Sequence, residues 1–230
     1  NAEDLIHWYQ TNYDSEQNFQ VEEFIEGNFF LCDSFVVNGC VKFSTISHYI
    51  SPCLEFLHGK TLGAFPMKKE NVLYNKILEF NGKVIAALQP PDGALHMEFF
   101  VKNEEITFIE IGARPAGKAV VLMHEKNLGI NLYELTLRHG LGLNNSYNIK
   151  ENLYHGCANL ACPIGKVNTL HTPTLKSKFE ITWKIQVGDV IDKYPSSINE
   201  GMAADIMLFN PDFEEFMQDM EVLKDFKPYS

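Results

Sequence analysis

His96-Met97-Glu98-Phe99-Phe100-Val101-Lys102-Asn103-Glu104-Glu105-Ile106-Thr107-Phe108-Ile109-Glu110-Ile111-Gly112-Ala113-Arg114-Pro115-Ala116-Gly117 decides the fold of this chain. It reads as two strands, residues 96–102 and 106–112, folded about a polar turn. With residues 103–105 as the turn, Lys102 faces Ile106, and counting back sets Glu98 opposite Glu110. Met97, Phe99, Val101, Thr107, Ile109 and Ile111 then share the other face, and burying that mostly apolar face pins the register. Like charges facing each other across a ladder cost roughly 0.2–1 kcal/mol unless something offsets them. A divalent cation is one such partner; solvent is the ordinary alternative for any hairpin. With oxygen ligands and no Cys or His at matching spacing, Mg²⁺ or Mn²⁺ suits the pair better than zinc.

Upstream of the hairpin, apolar residues at Leu73, Ile77, Phe80, Val84 and Leu88 predict a helix within residues 69–88, stopped by Pro90-Pro91. Before it, residues 20–25 and 29–37 read as strands, and Asn38-Gly39 turns the second into a hairpin with residues 40–44. Residues 48–64 lack a clear period and read as a loop, and an amphipathic helix over residues 4–13 opens the chain. Downstream, residues 116–127 and 132–139 read as helices, with Asn131 and Glu134 in a capping-box pattern and Gly129 and Gly140 as stops. Short β-rich runs at 153–161, 178–185 and 203–209 follow, then a helix over 211–226 with Phe213, Phe216, Met217, Met220 and Leu223 on one face. The expected class is α+β, with one unit over residues 1–145 and a β-rich subdomain with a terminal helix over 146–230.

Composition narrows the partners. Against 30 Asp and Glu stand 19 Lys and Arg, a formal charge of −11, and no basic stripe offers itself to nucleic acid. Five scattered cysteines without metal-like spacing read as reduced thiols, and no apolar run is long enough to span a bilayer, so a cytoplasmic protein with neither nucleic-acid nor membrane partners is expected.

Glu98-Phe99-Phe100, followed by Phe108-Ile109-Glu110-Ile111-Gly112-Ala113-Arg114-Pro115-Ala116-Gly117, resembles the metal-binding signature of the ATP-grasp superfamily, and Val21-Glu22-Glu23-Phe24-Ile25-Glu26-Gly27 resembles its adenine hinge. The two come in the family's order with a helix between them, over roughly residues 3–145, and are most similar to the biotin-carboxylase-like and amino-acid-ligase-like branch. The resemblance implies the C-terminal lobe of such an enzyme: an antiparallel sheet with packed helices, using ATP and Mg²⁺ (or Mn²⁺). It implies that Glu22 or Glu23 and the backbone at Phe24 and Ile25 bind adenine, Glu98 and Glu110 hold the metal, and Arg114 steadies a phosphorylated intermediate. Asp33 reads as a ribose or a structural contact, and His96 and Lys118 as neighbours of the site or as ordinary strand and surface residues. Gly112 stands where many members carry a metal-binding Asn.

The chemistry so implied is ADP-forming ligation, in which a carboxylate is activated as an acyl phosphate for attack by an amine or similar nucleophile. Bicarbonate phosphorylation and a noncatalytic binding module are the alternatives. The resemblance also implies a missing N-terminal half of the same polypeptide carrying the phosphate-gripping residues, small-molecule carboxylate and nucleophile substrates, and leaves a homodimer open. Without that half, the 230 residues are expected to be inactive.

Overall fold

A computed structural model of the chain describes residues 1–144, 147, 149, 154–193 and 201–230. The boundary expected at 145/146 and the first residue of the run expected at 153–161 lie outside the described residues.

Among the described residues the chain builds one eight-stranded antiparallel sheet in the order β5-β4-β1-β2-β3-β6-β10-β8. Its strands are β1 (Asn28–Val37), β2 (Cys40–Tyr49), β3 (Leu62–Pro66), β4 (Gly93–Lys102), β5 (Glu105–Gly112), β6 (His155–Ala161), β8 (Lys178–Trp183) and β10 (Met202–Phe209). A small separate pair joins β7 (Gly165–Lys166) to β9 (Val190–Ile191).

Period-two alternation splits the central strands into two working faces. Phe30, Cys32, Ile46, Met97, Phe99 and Val101 pack under α2 (Tyr74–Leu88), which contributes Ile77, Leu78, Phe80 and Val84. On the opposite face Phe29, Leu31, Tyr49 and Ala64 meet Val120, Val121 and Met123 of α3 (Lys118–Leu128). Phe35 and Ala94 meet Leu132 and Leu135 of α4 (Leu132–Gly140) on that same face. Further along the sheet, Phe65, Leu160, Ile206 and Leu208 pack against Phe216, Met220 and Leu223 of α5 (Phe213–Lys224). Local signals end these helices as the sequence suggests: Gly129 closes α3 in the left-handed region, and the Asn131 side chain accepts from the N–H groups of Tyr133 and Glu134.

Three expectations are corrected. Residues 20–25 form no strand; α1 (Ala2–Asn12), which precedes them, likewise buries no residue. Residues 48–64 are not a plain loop: β2 runs on to Tyr49, a 3₁₀ turn covers Cys53–His58, and β3 begins at Leu62. The hairpin of β4 and β5 turns on two residues, Asn103 and Glu104, both at positive φ (50° and 65°), so Lys102 pairs with Glu105. A bulge between Glu98 and Phe99, with Ile109 as the extra residue, then shifts the ladder by one. Because of that shift Ile106 and Ile111 pack into the core beneath α2, whereas Thr107 and Ile109 do not.

Candidate active site

Glu98 and Glu110 are ladder partners. Their Cβ atoms therefore stand about 5 Å apart on one face of the sheet. The one-residue shortening of the turn and the one-residue bulge cancel, which is why the simple count from the sequence finds the right pair. Both glutamates act on Cys53 at the start of the 3₁₀ turn: burial, then Glu98 and to a lesser extent Glu110, push its thiol up to about 12. That negative potential is what a cation would relieve.

Arg114 completes the cluster. The ladder sets Gly112 opposite His96, on the same face as the two glutamates, and the Arg114 side chain folds over it: a Cβ on Gly112 would meet Arg114 Cγ at 3.2 Å and Nε at 3.3 Å. The missing side chain at 112 is therefore room that the guanidinium stem uses. Arg114 acts on Glu98, whose carboxyl feels two opposed influences. Burial raises it, but hydrogen bonds from His96 and Tyr49, with the charges of His96 and Arg114, hold it below the usual carboxylate range.

Beneath Glu98 lies a chain of buried polar contacts. Tyr49 Oη–H donates to Glu98 Oε1 at 2.7 Å, and His96 Nε2 lies 3.3 Å from the same oxygen. His96 Nδ1 is 2.7 Å from Asp33 Oδ1, and His124 Nε2 of α3 is 2.7 Å from Asp33 Oδ2. Asp33 is fully buried in the middle of apolar β1. Ionised carboxylates only accept, so a His96 ring held between two of them carries a proton on each nitrogen. Burial works against that charge, but Asp33 and Glu98 outweigh it and raise His96 to about 9. Burial likewise pushes Asp33 up, and the two imidazoles reverse this to bring it to about 2. Tyr49 stays a phenol, because burial and the neighbouring Glu98 raise it well above its ordinary value.

The expected adenine segment is built differently. Glu22, Glu23 and Phe24 are exposed and Ile25 is half-buried, outside every described ladder; Glu22 accepts a hydrogen bond from Gln20. Two contacts fasten its end to β4. Glu26 pairs with Lys102 at 2.9 Å, and Gly27, at φ +148°, lies so close that a Cβ there would stand 2.7 Å from the Val101 carbonyl oxygen.

Among the described residues no three His, Cys, Asp or Glu side chains converge as a self-sufficient metal centre. Two carboxylates with open positions suit Mg²⁺, which usually keeps water and takes its remaining ligands from substrate phosphates. Glu98 fits that need: Oε1 is taken by two donors, while Oε2 accepts no described hydrogen bond.

Sequence reasoning brought Glu98, Glu110 and Arg114 together but missed Tyr49, hidden in the expected loop, and His124. A signal for Asp33 was present, since a carboxylate inside Phe29-Phe30-Leu31-Cys32-Asp33-Ser34-Phe35 cannot be buried without partners. Nothing in the sequence names those partners.

No protein-family model matches the chain. An L-arginine-specific L-amino acid ligase from Bacillus subtilis is 30% identical over 185 residues, covering 76% of this chain and 44% of that protein. The solved L-amino acid ligase from Bacillus licheniformis is 22% identical with a TM-score of 0.66, over 88% of this chain and 53% of its own. The biotin carboxylase domain of 2-oxoglutarate carboxylase from Hydrogenobacter thermophilus, a dimer solved with MgADP and bicarbonate, is 15% identical with a TM-score of 0.59, over 88% of this chain and 46% of its own. The chain shares the ATP-grasp fold of those proteins and is similar to a part of each. It spans about half the length of each of these relatives.

Proposed function

We propose that this chain is the metal-holding part of an ATP-dependent, ADP-forming ligase that joins a small carboxylate, an amino acid by its likeness to the ligases above, to an amine. The observation that carries the reading is the register that sets Glu98 against Glu110, with Arg114 lying over Gly112 beside them.

Glu98 Oε2 and the Glu110 carboxylate would hold Mg²⁺. The ion, when bound, neutralises phosphate charge and polarises the transferred phosphoryl group. The remaining work falls to the chain. Glu98 is fixed by Tyr49 and His96 and kept ionised, so it needs neither a proton loss nor a rotamer search to take its ligand. Arg114 supplies a permanent charge in a planar fork, suited to the oxygens of an acyl phosphate and of the tetrahedral species formed when the amine attacks. Residues 22–25 offer backbone groups outside any ladder and an exposed Phe24, a surface suited to the edge and face of adenine. The phosphate-gripping groups and the rest of the adenine pocket would be supplied by other parts of the full polypeptide.

The test is nucleotide turnover by the full polypeptide that carries this chain. ADP and phosphate should be released only when Mg²⁺ and an amino-acid pair are present. Release of AMP and pyrophosphate, or ADP formation indifferent to any carboxylate, would overturn the reading.

A further inference from the structure

Asp33 has no part in the chemistry just described, yet it is the most deeply enclosed charge near it. It sits directly across the β1–β4 ladder from His96 and across the β1–β2 ladder from Thr45. Its neighbours two residues away on that face, Leu31 and Phe35, are apolar and fully packed. If packing were all the position required, an apolar residue would meet the need without desolvating a carboxylate. What Asp33 provides and a leucine cannot is two acceptor oxygens in fixed directions, and each is used once, by His96 and by His124.

Those two histidines lead to the two halves of the candidate site. His96 and Glu98 are two residues apart on β4, hence on one face, and the second ring nitrogen of His96 reaches Glu98 Oε1 at 3.3 Å. His124 lies on α3, the helix that begins four residues after Arg114. We propose that Asp33 is a positioning residue: by gripping His96 it aims the Glu98 carboxylate, Oε1 inward and Oε2 outward, and by gripping His124 it fixes the helix behind Arg114 at a set distance. The inference rests on the reading of Glu98 as a cation ligand. Outer groups that hold a metal's direct ligands in place typically change metal affinity or activity 10–100-fold when altered, and Asp33, one residue further out, is expected to act at the lower end of that range.

The experiment measures Mn²⁺ binding to the ADP complex of the full polypeptide by electron paramagnetic resonance, alongside binding of metal-free ADP and the melting temperature without metal. In Asp33→Asn one acceptor oxygen becomes an N–H donor, so one of the two histidines must change its tautomer or lose its grip while size is kept. Asp33→Asn and His96→Gln should each weaken Mn²⁺ about 10-fold or more and leave metal-free ADP binding within about 2-fold. Glu98→Gln runs in parallel: if it leaves Mn²⁺ binding intact, the cation reading itself has failed. If Glu98→Gln weakens Mn²⁺ and Asp33→Asn only lowers the melting temperature, the positioning role alone is refuted. Should neither Asp33→Asn nor His96→Gln fold, the unaltered protein decides. Its two His96 ring N–H resonances should both be protected from exchange, and the Nε2–H signal should shift when Mg²⁺-ADP is added. A single ring N–H, or no shift, overturns the proposal.

Discussion

Glu98 accepts two hydrogen bonds from side chains of its own sheet and lies over a fully buried Asp33, whereas Phe24 is 76% exposed and its segment joins no described strand. On the proposed reading both serve one nucleotide site, the first its metal and the second its adenine. The metal side is built within this chain down to its third layer of residues; the adenine side is held only where it enters the sheet, at Glu26 and Gly27. The contrast follows from what each must do. A carboxylate that meets a polyphosphate must be aimed and kept charged before the ligand arrives, and that takes buried donors. A segment that offers backbone groups to a planar base needs only an extended chain and something to cover it.

The largest difference between the two sides should appear in activity. Glu98→Gln in the full polypeptide should lower turnover by about 100-fold or more, since the charge that holds the cation is gone, while Phe24→Ala removes stacking area worth about 1 kcal/mol and should cost about 10-fold or less. Steady-state rates at saturating ATP and Mg²⁺ check this, and equal losses would erase the distinction.

Next in size is the joint between them. Gly27→Ala forces a Cβ against the Val101 carbonyl at a φ that side chains rarely adopt, so the chain must pull away from β4. Destabilisation of about 1–3 kcal/mol is expected from thermal or urea unfolding. An unchanged midpoint would show that the entry to the sheet is loose.

Acidity gives a third contrast, between two histidines of opposite sign. His96 is raised to about 9 by Asp33 and Glu98 despite its burial, so the stability it contributes is fully present below its ordinary value of 6.5 and is lost as pH climbs from there to about 9. His48, on the other face, is lowered to about 4 by burial and by Lys224. In its window the unfolded chain takes up a proton that the folded chain refuses, so stability falls as pH drops from 6.5 toward 4. Unfolding free energy should therefore peak near neutrality, with each limb on the order of 1–3 kcal/mol. His96→Gln should flatten the alkaline limb alone and His48→Gln the acid limb alone. If His96→Gln left the alkaline limb intact, His96 would not carry that charge.

The smallest effect is expected where the segment is most exposed. Phe24→Ser should shift the melting free energy of the 230 residues by less than about 0.5 kcal/mol. A larger loss would mean that the segment already packs on this chain.

What the sequence reveals and hides follows the same division. Short-range geometry is legible: β4 and β5 are joined by two residues, so alternation alone restricts which side chains can face one another. Even there Glu98 meets Glu110 through two cancelling offsets, because no residue pattern in Glu105-Ile106-Thr107-Phe108-Ile109-Glu110 distinguishes a bulge from a longer turn. The polar network was not legible, since it joins Asp33, His96 and His124 from β1, β4 and α3 across separations that only the finished sheet brings together. Residues 20–25 mislead for a physical reason: strand-favouring side chains such as Val21, Phe24 and Ile25 record what a segment can pair with, not whether a partner strand lies beside it.

The central claim is that Glu98 and Glu110 form one cation site, and anomalous diffraction from crystals of the full polypeptide grown with Mn²⁺ and ADP tests it most directly. The account predicts a manganese peak between the two residues, roughly 2.1–2.3 Å from Glu98 Oε2 and from a Glu110 oxygen, with Oε1 still held by Tyr49 and His96. A peak elsewhere, or one that Glu98 reaches through Oε1 after breaking from Tyr49, would contradict it.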